Sequence, residues 1–151
     1  MICLSSIKKA IPLLLISLFA IISCSEPKYA KETGYFENYL KQVFNKKISS
    51  SKEYYFIIPS SGCMGCRKSV LNFMLGKDFN SKCIGIVSQP DDETINLITN
   101  KKNILVDEKG KIDRLNLNTA NTVLIITENE CIAEIIPITV ENVDKISQYL
   151  K

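Results

Sequence analysis

Tyr54, Tyr55, Phe56, Ile57 and Ile58 follow one another without a polar break. A β-branched and aromatic run with no period-two alternation predicts a central strand, buried on both faces of a sheet. Pro59-Ser60-Ser61-Gly62 ends it, and Cys63-Met64-Gly65-Cys66 then opens a helix-like run over residues 67–75. The chain must therefore place two cysteines where a buried strand turns into a helix. The first thiol sits where unpaired backbone N–H groups point, which stabilises its thiolate and lowers its pKa. The second lies one turn further on, within reach of a mixed disulfide formed by the first. Such a pair suits reversible thiol–disulfide chemistry, and the rest of the chain has to decide whether it reacts, binds metal or only staples.

Several other chemistries are excluded. None of the 151 residues is histidine, so there is no Ser-His-Asp triad, no Cys-His pair and no histidine-ligated zinc. A c-type haem site needs histidine after the second cysteine, and Arg67 stands there. Apolar residues make up 46% and charged residues 23%, enough for one domain with a real core. The net charge of +3 falls to +1 without Lys8 and Lys9, which gives no reason to expect a nucleic-acid partner.

Lys8 and Lys9 close a short basic opening, and the next fourteen residues, 10–23, carry no charge. As a helix they would span about 21 Å, short of the roughly 30 Å hydrocarbon core, so a signal peptide is expected rather than a membrane span. The stretch ends Ile21-Ile22-Ser23-Cys24, which resembles the lipobox of bacterial lipoproteins. That resemblance implies cleavage before Cys24 and a lipid on its thiol. The alternatives are an ordinary signal peptide with a chance cysteine, or an uncleaved anchor. The expected organisation is a signal peptide over residues 1–23, a polar tether over 24–34 and one domain over 35–151. The protein is then exported and membrane-anchored, periplasmic or outer-membrane-associated, in a compartment where disulfides persist.

Within the domain, Tyr35, Phe36, Tyr39, Leu40, Val43 and Phe44 recur at helical spacing and predict an amphipathic helix over 35–46, its aromatic stripe packing in the core. Gly76 suits a left-handed cap for the cysteine helix. Residues 83–88 and 104–106 are further apolar runs. Between them Asp91 and Asp92 cap a helix carrying Ile95, Leu97 and Ile98. Residues 123–126 and 132–136 predict a hairpin around Glu128-Asn129-Glu130, closed by Pro137. Val140, Val143, Ile146 and Leu150 mark one face of a terminal helix. Alternating elements followed by a hairpin and a helix predict an α/β fold with a mixed central sheet covered on both faces.

This order, with Cys-x-x-Cys at the first buried strand-to-helix junction, resembles the thioredoxin fold, most closely the extracytoplasmic thioredoxin-like and redoxin proteins of bacteria. The resemblance covers residues 35–151 by element order and is sharp over 54–76. It implies a thioredoxin-like three-layer sandwich with an extra N-terminal helix, and it implies attack by Cys63 and resolution by Cys66. It also implies a substrate loop at Ala120, Asn121 and Thr122. Asn121 stands where the family carries a cis-proline; a cis bond there would cost about 3 kcal/mol, so a trans loop is expected. Ile57 replaces the family's buried acid and Gly62 an aromatic residue, so no carboxylate is evident near the thiols.

The expected function is a lipid-anchored thiol–disulfide oxidoreductase of the bacterial envelope, monomeric and without cofactor. Its partners would be envelope thiols or disulfides and a redox partner. The alternative is a non-catalytic, partner-binding lipoprotein. A structural disulfide across two residues removes little chain entropy. A zinc site would need Cys83 and Cys131 beside the pair; both are instead expected as free buried thiols. Arg67 and Lys68 either favour the thiolate or are simply solvated.

Overall fold

A computed structural model describes residues 28–76, 79–115, 117 and 121–150. The expected signal peptide, Cys24 and Ala120 lie outside the described residues, as do residues 24–27 of the expected tether. Five strands form one mixed sheet: β1 (Glu53–Ile58), β2 (Cys83–Ser88), β3 (Ile104–Asp107), β4 (Val123–Glu128) and β5 (Cys131–Pro137). Their spatial order is β3-β2-β1-β4-β5, so the unalternating run lies at the centre. β1 pairs in parallel with β2 and antiparallel with β4; β3 is parallel to β2, and β5 antiparallel to β4.

Successive side chains of β1 feed two separate cores, one on each face. Tyr55 and Ile57 pack against Phe36, Tyr39 and Leu40 of the helix α1 (Ala30–Phe44). Phe36 meets Tyr55 edge-on, ring centroids 5.0 Å apart. Tyr54, Phe56 and Ile58 face Val70 and Met74 of the cysteine helix α2 (Met64–Leu75) and Ile98 of α3 (Asp92–Ile98). Each such side chain, fully buried, is worth about 1.5–3 kcal/mol in removal from water. Both faces being covered is why β1 can be apolar at every position.

The connections follow from the strand order. β1–α2–β2 and β2–α3–β3 step the same way across the sheet, and both helices contribute to the same core. From the edge strand β3 the chain must return to β4 beside β1. It crosses the opposite face, where Ile112 of a 3₁₀ turn (Ile112–Arg114) and Leu117 join the α1 core.

Several local expectations need correcting. α1 begins at Ala30, inside the stretch read as tether, and its first turn is tied to the sheet where Ile132 N–H donates to Thr33 Oγ1 at 3.0 Å. It ends at Phe44, with Asn45 in the left-handed conformation. Tyr35, expected in the core stripe, is 48% exposed, because its neighbours Phe36, Tyr39 and Leu40 occupy the inward face. Gly76 ends α2 in extended backbone, φ −75° and ψ 175°, so its left-handed freedom is unused. α3 buries only Ile98; Leu97 is 50% exposed. The terminal helix is a 3₁₀ segment, Val143–Leu150, in which Ile146 is buried. Val140, expected on its inner face, is 65% exposed because it sits in the preceding turn. The hairpin agrees with expectation: Asn129 and Glu130 both take positive φ, 52° and 63°, as a tight two-residue loop requires.

Candidate functional site

Cys63 is the N-cap of α2, and its half-buried Sγ accepts the Cys66 backbone N–H at 3.3 Å. The Cys66 thiol, almost wholly buried, donates to the same sulfur at 2.7 Å. The two cysteines are free thiols. The hydrogen bond from the Cys66 thiol, then that from the Cys66 backbone, hold the Cys63 pKa below the ordinary thiol value. Donating to Cys63, together with burial, pushes the Cys66 thiol up to about 11. One sulfur is thus prepared as an anion and the other held as a proton donor. The helix N-terminus supports that division, because its free N–H groups favour negative charge at its cap.

The surroundings leave Cys63 partly accessible. Gly62 has φ 105°, a conformation that L side chains rarely adopt, so an aromatic residue does not fit before Cys63. An alanine-sized side chain at Gly65 would meet only Cys63 Sγ, at 3.9 Å. Met64 is 78% exposed. It forms one wall of a groove of about 330 Å³ with Arg67, Leu71, Pro90, Asp91 and Leu97, running between α2 and α3. Arg67 Nε is buried there without a hydrogen-bond partner.

Two acids that sequence reasoning missed underlie the cysteine loop. Asp113 accepts the Ser60 hydroxyl at 2.6 Å, the Ser60 backbone N–H at 3.3 Å, and the Ser88 hydroxyl at 2.8 Å. Asp107 is buried and accepts the Ile112 N–H at 2.8 Å and the Tyr39 hydroxyl at 3.2 Å. Burial first, then the Asp107 charge, raises the Tyr39 pKa far above its usual value. Ser88 and Asp107 are the last residues of their strands, at the carboxyl end where open α/β sheets place their sites. That position was the available signal; the 50-residue separation of Asp113 from the cysteines concealed it. The charge of Glu141, in the turn after β5, is the smallest of the influences on the two thiols and opposes ionisation of both.

The remaining expected residues divide. The register Ile57↔Val123 in the β1–β4 pair brings Asn121 and Thr122 to the end of β1 from which the cysteine loop leaves. Asn121 is exposed; Thr122 is buried, its carbonyl accepting the Ile138 N–H at 2.8 Å. Ala120 lies outside the described residues. Cys83 is fully buried at the opposite end of β2, where burial raises its pKa. Cys131, expected as a buried thiol, is half-exposed because it begins the edge strand β5. β2 and β5 are three strand spacings apart, about 14 Å, so Cys83 and Cys131 cannot share a metal. Among the described residues no cluster of histidine, cysteine or acidic side chains could hold one. Nor is any helix among them long and apolar enough to cross a membrane.

No protein-family model matches the chain, and no curated protein matches it in sequence.

Proposed function

We propose that the protein is a thiol–disulfide oxidoreductase of the bacterial cell envelope, built on a thioredoxin-like fold and anchored through lipid on Cys24. The observation that carries the reading is the asymmetry of the pair: a partly exposed Cys63 sulfur at the cap of α2 that accepts hydrogen bonds from the backbone N–H and the buried thiol of Cys66, with the Cys63 pKa lowered and that of Cys66 raised accordingly. The position of the pair, at the carboxyl end of the central strand of a mixed five-stranded sheet, is compatible with that fold.

The chemistry follows from the two sulfurs. The Cys63 thiolate attacks one sulfur of a partner disulfide and displaces the other as a thiolate, which takes a proton from solvent. Cys66 then loses its proton and attacks the Cys63 sulfur, releasing the partner's second thiol and leaving a Cys63–Cys66 disulfide. Two electrons pass to the partner; a second dithiol returns them by the same exchange run backwards. No cofactor enters either step. The groove beside Met64 and the loop at Ala120, Asn121 and Thr122 would seat the partner chain.

The test is turnover of a protein disulfide by the reduced full-length chain. Cys63→Ser should abolish it, and Cys66→Ser should accumulate mixed disulfides visible on non-reducing gels. Absence of turnover, with Cys63 alkylating no faster than free cysteine, would leave a non-catalytic partner-binding module. The anchor has its own test: Cys24→Ala should remove the lipid mass and release the protein from membranes.

A further inference from the structure

We propose that Asp113 is a positioning residue for Cys63, fixing the loop that presents it. This rests on the dithiol reading and assigns the loop an anchor from the far side of the sequence. Residues 59–62 must carry the chain from the buried end of β1 to the cap of α2 in four residues, through a positive φ at Gly62. Such a short loop holds the Cys63 sulfur against the first N–H groups of α2 only if its start is fixed. Ser60 is that start, and Asp113 takes both its hydroxyl and its N–H. Hydrogen bonds to an ionised acceptor are the strong class. The same carboxylate also accepts the Ser88 hydroxyl, a bond made to the end of β2 and not to the loop.

Asp113 is itself held in place. Asp107 accepts the N–H of Ile112, the preceding residue, and is steadied by Tyr39 from α1. Gly110, at φ 60°, makes the turn between the two acids; a Cβ there would stand 3.3 Å from Asp113 Oδ2. The 3₁₀ turn thus connects the α1 side of the sheet to the cysteine loop through two carboxylates in series.

Peptide-resolved alkylation of the reduced full-length chain at pH 7 tests this, read beside its equilibrium with glutathione. Asp113→Ala should slow labelling of Cys63 about five- to tenfold, approaching one pKa unit lost from thiolate stabilisation. It should also displace the glutathione equilibrium of the pair. Asp113→Asn keeps an acceptor for Ser60 and should stay within about twofold of wild type, because position rather than charge is what Cys63 needs. Ser60→Ala should slow labelling as Asp113→Ala does. Ser88→Ala removes a bond outside the cysteine loop and should leave Cys63 within about twofold. Buried Cys83 serves as the internal control, since it becomes reactive if a variant unfolds; in that case Ser60→Ala decides.

Equal labelling in wild type, Asp113→Ala and Ser60→Ala overturns the proposal, as does a Ser88→Ala effect matching that of Ser60→Ala. If wild-type Cys63 labels no faster than free cysteine, the dithiol reading fails first. The anchor is then judged on hydrogen exchange of the Ser60 amide, which Asp113→Ala must accelerate.

Discussion

At the residue scale, what distinguishes the two cysteines is which sulfur accepts and which donates. Cys63 is stabilised as a thiolate chiefly by the Cys66 thiol, so Cys66→Ala should raise its pKa towards the ordinary value near 8.5. The measurement is the pH profile of Cys63 alkylation: the midpoint moves upward and the rate at pH 7 falls. The backbone N–H of Cys66 survives that substitution, so part of the depression should remain. That Cys63 stands at a helix cap with Cys66 one turn further on could be read from spacing alone, because a helix N-terminus fixes the geometry of its first turn. The carboxylates could not. Asp113 and Glu141 come to the end of the sheet that carries the cysteine loop only because the crossing segment and the turn after β5 both lie at the carboxyl end of β1.

At the element scale, turns with left-handed backbone are the places where single substitutions act most simply. Asn129 and Glu130 close the β4–β5 hairpin with φ 52° and 63°, and the carbonyls of Ser50 and Ser49 accept their N–H groups. A side chain in that conformation costs about 1–2 kcal/mol, so Glu130→Gly should recover part of it and raise the melting temperature by about 2–4 °C. Gly110→Ala is the converse. It places a Cβ at φ 60°, 3.0 Å from the Gln89 side chain, and should lower the melting temperature by about 3–6 °C. Thermal unfolding followed by circular dichroism checks both. The hairpin was legible because turn residues separate two apolar runs. The terminal helix was misread because Val140, Val143, Ile146 and Leu150 fit a face of either helix type. The Thr139–Asn142 turn starts the chain late, where Thr139 N–H donates to Asn142 Oδ1 at 2.8 Å. Phe36, seated between α1 and Tyr55, is the anchor of α1; Phe36→Ala should cost about 3–5 kcal/mol in denaturant unfolding.

At the scale of the whole molecule, the buried acids of high pKa set how stability varies with pH. Burial, then Asp107, raises Tyr39; burial, then the hydrogen bond to Glu53, raises Tyr55; and Cys66 is pushed up to about 11. Each keeps its proton in the folded state after the unfolded chain has lost it. Between the unfolded values near 8.5 and 10 and the higher folded ones, the native state therefore binds more protons, and stability falls as pH rises. Cys63 has the opposite sign, contributing stability above its unfolded pKa that is lost as pH falls through the lower folded one. Urea unfolding of the reduced protein should accordingly show a declining midpoint above about pH 9, and Tyr39→Phe should flatten the decline above about pH 10. What the sequence determined by itself was the strand buried on both faces, the helix after it and the dithiol at their junction. Those depend on periodicity and on the local geometry of one turn. Tertiary structure alone decided which acids meet the cysteine loop, that α2 and α3 share a face, and that Cys83 and Cys131 stand apart. Those are consequences of strand order, and strand order is fixed by how two cores close around one sheet, which no local pattern of residues encodes.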